Sequence, residues 1–196
     1  DIALKGKMSS IEKKQYENFT AKGQLSVQDM DYKSKDTPYG INIKNAVLNF
    51  TPQQVELAQF DALLGKSDLR ANGSMENFIA YALKDDMLKG RFNFQSTFLD
   101  LNELMGPEES TSTADTAASE MIEVPSNLDF TISAVLAKVL YDNMQLDAVS
   151  GTIKVKDAIA SMENMKMNLL DGSLLMNGFY NTANLKKPLM DFDLSI

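Results

Sequence analysis

The chain has 196 residues and contains no histidine, no cysteine and no tryptophan. That composition excludes a Ser-His-Asp triad, a thiolate nucleophile, a Cys/His zinc site and a disulfide framework. The net charge of -8, from 27 acidic against 19 basic residues, argues against nucleic acid, whose phosphates call for surplus Lys and Arg.

Period-two alternation dominates from end to end. Ser9 to Tyr16 is polar and reads as a loop or a helical turn, and Gly23 to Val27 as a strand. Ile41 and Ile43 alternate with Asn42 and Lys44; Val55 and Leu57 flank Glu56 before the phase blurs at Ala58. Phe78 to Leu83 fits one helical turn or a continued strand, and Phe92 and Phe94 alternate with Arg91, Asn93 and Gln95. Asp100 followed by Leu101, Glu103, Leu104 and Met105, then Gly106-Pro107, predicts a short capped helix with a clear stop. Alternation resumes at Leu128-Phe130-Ile132, Ile153-Val155 and Met165-Met167-Leu169, and still runs at Ile196. Antiparallel strands with one buried and one wet face produce this pattern. The expected fold is mostly β: a curved antiparallel sheet of repeated units, groove-like or open barrel- or sandwich-like, with one or two short helices.

Residues 106–125 are small, polar and acidic, and predict a mobile loop. They separate a first β unit, 1–105, from a second, 126–196, which resembles it. Leu63-Leu64 through Asn72-Gly73 can be laid on Leu169-Leu170 through Asn177-Gly178, and Ile43 to Phe50 on Leu146 to Val155, at offsets of 103 to 106. Repeated β units side by side predict one continuous sheet rather than two cores. The two Asn-Gly pairs suit hairpin turns. Each stands near the end of an alternating run, however, so the reading favours a glycine inside the strand, marking a bend or bulge.

Carboxylates are the remaining catalytic candidates. Asp85-Asp86 and Glu108-Glu109 fall in polar loops, and Asp29 and Asp31 near a turn; Asp191 and Asp193 share the wet face of a strand. A glycosidase would need two carboxylates across a cleft with aromatic platforms, so the chain reads as no enzyme, with no cofactor and no metal. Twelve methionines are many. Met adapts to irregular core gaps, and equally to varied apolar ligands. On the second reading Met165, Met167, Leu169, Leu174 and Met176 are candidates for lipid contact.

The repeated pattern Leu-Leu, Gly, Ser, a short apolar stretch and Asn-Gly, together with Leu99-Asp100-Leu101-Asn102 ahead of a low-complexity segment, resembles the C-terminal region of AsmA-like (AsmA/TamB-type) proteins of the Gram-negative envelope. The likeness covers residues 40–196. It implies a large periplasmic protein held in the inner membrane by an N-terminal helix outside this chain, and a long curved sheet with an apolar concave face. It further implies phospholipid transport between inner and outer membranes, or a role in outer-membrane biogenesis. The implied partner is a phospholipid or other acyl-chain lipid. The opening at Asp1 and the end within an alternating run likewise predict a portion of a longer protein. The rival expectation is a β-sandwich interaction or adhesion module that binds a protein or glycan and encloses its apolar phase in a core.

Overall fold

The computed structural model describes residues 2–5, 20–34, 37–51, 53–105, 123–170 and 172–196. The strands are β1 (Ile2–Lys5), β2 (Thr20–Tyr32), β3 (Ile41–Phe50), β4 (Gln54–Leu64), β5 (Ser67–Glu76), β6 (Leu88–Ser96), β7 (Leu99–Asp100), β8 (Leu128–Tyr141), β9 (Met144–Lys156), β10 (Ile159–Leu169), β11 (Gly172–Asn181) and β12 (Leu189–Ser195). Helix α1 (Phe78–Lys84) joins β5 to β6, and α2 (Leu101–Met105) follows β7. All twelve strands belong to one open, curved sheet. Successive strands are antiparallel neighbours except at the middle, where β6 lies parallel to β8 from Leu88↔Leu128 to Ser96↔Leu136. The tiny β7 continues along β8 in the same sense. The mostly β, curved antiparallel sheet with short helices expected from the alternation is the fold observed. The parallel junction is the feature alternation does not reveal.

A parallel neighbour demands a crossover of a dozen or more residues, where an antiparallel one needs only a tight turn. Here the crossover leaves β6 at Thr97 and re-enters β8 after Asn127. Most of the segment expected to be mobile, residues 106–122, lies outside the described residues, as does Ser9 to Tyr16. The remainder is anchored: Val124 is buried, and its N–H donates to the Thr182 hydroxyl (2.9 Å). Leu88 N–H donates to the Asn127 carbonyl (2.9 Å), and the Asn127 side chain to Asp85 Oδ1 (2.6 Å).

The departing end of the crossover is clamped by side chains that each have one task. Asp100 caps α2, accepting from the N–H groups of Asn102 (3.1 Å) and Glu103 (3.3 Å). Its own N–H donates to the hydroxyl of the fully buried Ser67 (2.9 Å). Glu103 reaches the β4–β5 turn, where its carboxylate accepts from Lys66 N–H (2.9 Å). Gly65 makes that approach possible: its φ is +61°, and a Cβ there would collide with the Glu103 carboxylate. Asn102 faces the opposite way, accepting from Asp142 N–H (2.7 Å) and donating to the Asp142 carbonyl (3.1 Å) in the β8–β9 turn. Leu99 and Leu101 meanwhile pack on the apolar cluster around Val139, Val149 and Met165. The Leu-Asp-Leu-Asn-Glu stretch is thus a clip between the two halves of the sheet.

The two halves share their registers. From β3–β5 to β9–β11 the offset is a constant 105 residues: Leu48↔Leu57↔Gly73 becomes Ile153↔Met162↔Gly178, and Phe60↔Ala71 becomes Met165↔Met176. In both halves the register slips between Leu57 and Phe60, or Met162 and Met165, opposite the Asn of Asn-Gly. In both, the glycine sits within the strand under a cross-strand ring, Gly73 under Phe92 and Gly178 under Phe192. A Cβ at either glycine would collide with that ring and with the carbonyl of Arg91 or Asp191. Replacing either glycine by Ala is therefore expected to cost about 1–3 kcal/mol in urea denaturation. A loss confined to one of the two would contradict the shared architecture.

Candidate functional site: an apolar sheet face

Antiparallel pairing puts partnered residues on one face, so a rung can be followed across the sheet. One runs Leu25, Leu48, Leu57, Gly73, Phe92, Ile132, Ile153, Met162, Gly178, Phe192, without a polar residue over ten strands. The next begins Val27, Ala46, Phe60, Ala71, Phe94, Ala134, Gly151 and ends Met176, Leu194. Ten strands at their usual spacing span about 43 Å, and a strand of nine residues about 30 Å. The footprint of the sheet that carries these rungs is thus about 1,300 Å².

Four irregularities keep this face apolar. Asp29 (φ 48°) lies in β2 and Ala148 (φ 51°) in β9, both left-handed. Each lets the apolar phase change parity, from Leu25 and Val27 to Met30 and Tyr32, and from Val149 to Leu146. The slips at 58–59 and 163–164 do the same within β4 and β10. In the second, Asn164 (φ 51°) is held by its N–H donating to Asn177 Oδ1 (2.7 Å).

No second sheet covers the face among the described residues. Among the described residues, the largest side chain that is fully buried is that of Ser67. The apolar residues are mostly half-buried, shielded chiefly by neighbours on their own face, whereas Lys44, Glu56, Arg70, Asn72, Arg91, Asn93 and Lys154 opposite are exposed. Aromatic rings gather where the halves meet: Phe92 stacks with Phe94 at 6.3 Å and meets Phe130 edge-on at 5.7 Å. Towards both rims the face opens, with Leu25, Met30 and Tyr32 exposed on β2 and Met190, Phe192 and Leu194 on β12.

The five residues singled out from the sequence lie together on this face. Met165 pairs with Met176, Met167 with Leu174, and Leu169 faces Gly172. They differ in availability. Met165 is only 8% exposed and belongs to the best-packed cluster, with Met167 and Met176 against it; all but Met165 are half-buried. The sequence reading missed their counterparts in the first half. At the constant offset these are Phe60, Ala62, Leu64, Leu69 and Ala71, of which Ala62 and Ala71 are buried. The internal repeat carried the signal that would have found them.

The opposite face holds the titratable groups, with a few apolar interruptions such as Val47, Val135 and Phe179. Asp191 and Asp193 stand exposed on β12, and Asp85 is held by Asn127. No group of three or more acidic side chains among the described residues is placed to hold a metal ion. A hollow of about 490 Å³ lies on this face between Asp68, Arg70, Gln95, Thr97, Val135 and Ala148. Asp68 is committed to the chain itself, accepting from Thr97 N–H (2.9 Å), Thr97 hydroxyl (2.7 Å) and Phe98 N–H (2.8 Å). No helix among the described residues is long and apolar enough to cross a membrane. No protein-family model, curated protein or solved structure matches the chain.

Burial raises the Asp68 pKa, but the hydrogen bonds from Thr97, Phe98 and Ser96 outweigh it and hold the carboxyl below its ordinary 3.8. A depressed carboxylate pKa contributes stability above the unfolded pKa and loses it as pH falls through the folded one. The stability advantage of the native chain over Asp68→Asn is expected to be constant near neutrality and to shrink below pH 3.8. An advantage that does not change with pH would contradict this role.

Proposed function

We propose that the chain is a non-enzymatic segment of a periplasmic AsmA-like protein, acting in phospholipid transport or outer-membrane biogenesis by shielding acyl chains on its apolar face. The observation that carries this reading is the unbroken apolar rung over ten strands, with no second sheet above it among the described residues. Hydrocarbon needs area and no polar code: each CH₂ taken from water gains about 0.8 kcal/mol, while a headgroup stays solvated at the rim. Methionine and aromatic side chains on the face suit acyl chains of varied length and kink. Anchorage to the inner membrane and contact with the outer one belong, on this reading, to parts outside this chain. A β-sandwich adhesion module would need a second sheet, and the described residues form one.

Native mass spectrometry of the chain after incubation with phospholipid vesicles tests the reading. The expected result is co-migrating phospholipid, reduced about tenfold (about 1.4 kcal/mol) by Met167→Glu and unchanged by Lys166→Glu on the adjoining polar position. Circular dichroism checks that both variants keep the sheet. Absence of bound lipid, or equal loss in the two folded variants, would overturn it.

A further inference from the structure

We infer that the hollow between β5 and β9 on the polar face is a binding site for a free α-amino acid with a long apolar side chain, its carboxylate on Arg70 and its ammonium on Asp68. The site lies on the face opposite the proposed lipid surface, and the inference is independent of the lipid reading. The hollow measures about 490 Å³, within the roughly 300–1,000 Å³ usual for small-ligand sites. Its shape has a local cause. Beside Ala148 (φ 51°) the β9–β10 ladder slips by one residue, between Ser150 and Asp147, and such bulges bend the strand that carries them. At the other end the chain turns at Thr97, whose N–H and hydroxyl both donate to Asp68.

The chemistry of the ligand follows from the two walls. On one side β5 supplies opposite charges two residues apart, Asp68 and Arg70, which line the hollow without pairing with each other. Arg70 makes no hydrogen bond or ion pair with any described residue, although Asp61 stands directly across the ladder. The Asp68 bonds to Ser96, Thr97 and Phe98 fall on Oδ1; Oδ2 accepts only from Thr97 N–H (3.1 Å), which it shares with Oδ1. A carboxylate oxygen carries two lone pairs, so Oδ2 retains acceptor capacity. The other wall is apolar: Val135, 61% exposed in the rung Arg70, Gln95, Val135, Ser150, with Ala137 and Ala148 beside it. The strands β5 and β8 are two spacings apart, about 10 Å, the reach of leucine or methionine with its charged end at β5 and its methyl groups over Val135. A plain anion would meet Asp68, a plain cation would meet Arg70, and a neutral apolar molecule would leave both unpaired. A zwitterion serves both, and the guanidinium fork matches a carboxylate.

Methyl NMR of the chain titrated with leucine, isocaproate and isoamylamine tests the site. The two analogues lack the ammonium and the carboxylate respectively. Leucine is expected to shift the Ala137 and Ala148 methyl signals saturably, without shifting Ala62 and Ala71 on the apolar face. It should bind at least tenfold tighter than either analogue. Arg70→Gln, with unmoved Ala62 and Ala71 signals as the check on the sheet, should weaken leucine at least tenfold and leave isoamylamine no weaker. Absence of a saturable shift at Ala137 and Ala148, equal binding of the three ligands, or leucine binding unchanged by Arg70→Gln would overturn the proposal. So would leucine shifts centred on Ala62 and Ala71, which would assign the ligand to the other face.

Discussion

The structure depends on one constraint: the described residues form a single β layer with an apolar face and no second sheet to remove that face from water. Apolar surface left in water forfeits about 25 cal/mol per Å², so a sheet of this kind gains what it can by crowding its own side chains. The burial pattern follows. Alanines such as Ala46, Ala62 and Ala71 are buried, together with Val55, Val139, Val149 and Met165. Most of the other large apolar side chains remain half in water. The two in-strand glycines belong to the same economy, since each gives a cross-strand phenylalanine a place to lie flat on the backbone.

A sheet with so thin a core must hold its halves together by other means, and the polar clip at the centre does so. The switch from antiparallel to parallel pairing between β6 and β8 breaks the meander and forces the chain to cross the sheet. Ser67, Asp68, Asp100, Asn102 and Glu103 fix the departure of that crossover to the β4–β5 and β8–β9 turns. Thr182 fixes its return. Of these hydrogen bonds to backbone groups, those at Ser67, Asp68 and Thr182 are at least partly buried, where removal of one side costs the desolvation of the other. The junction is where aromatic rings and charged-group bonds concentrate, and the two flanking meanders differ little from each other in plan.

Much of this was legible in the residues and some was not. Alternation identifies most strands, because a strand with one wet face shows its period directly, and Asp100 with the Gly106-Pro107 stop marks α2. The blur at Ala58 is itself structural: the register slip there brings Leu57 and Phe60 to one face. The same slip between Met162 and Met165 passes unnoticed in sequence, because Met165, Met167 and Leu169 alternate cleanly beyond it. The repeat was visible, but its offset drifted from 103 to 106, whereas ladder registers fix it at 105. In particular, Leu169 corresponds to Leu64 rather than Leu63. The parallel junction could not be read, since strand direction leaves no mark on period two. Nor could the clip, whose partners lie up to 40 residues apart.

For the candidate site, sequence located one corner of a larger surface. Met165, Met167, Leu169, Leu174 and Met176 do converge, but the apolar rungs continue from there to β2, and the most accessible stretches are at the rims. The central claim is that hydrocarbon rests on this face and not on the other. Quenching of a fluorophore by a phospholipid spin-labelled in its acyl chain tests it most directly, with the label on a single cysteine placed at Met167 or at Lys166. The account predicts strong quenching at position 167 and little at 166. Equal quenching at the two, or none at either, would contradict it.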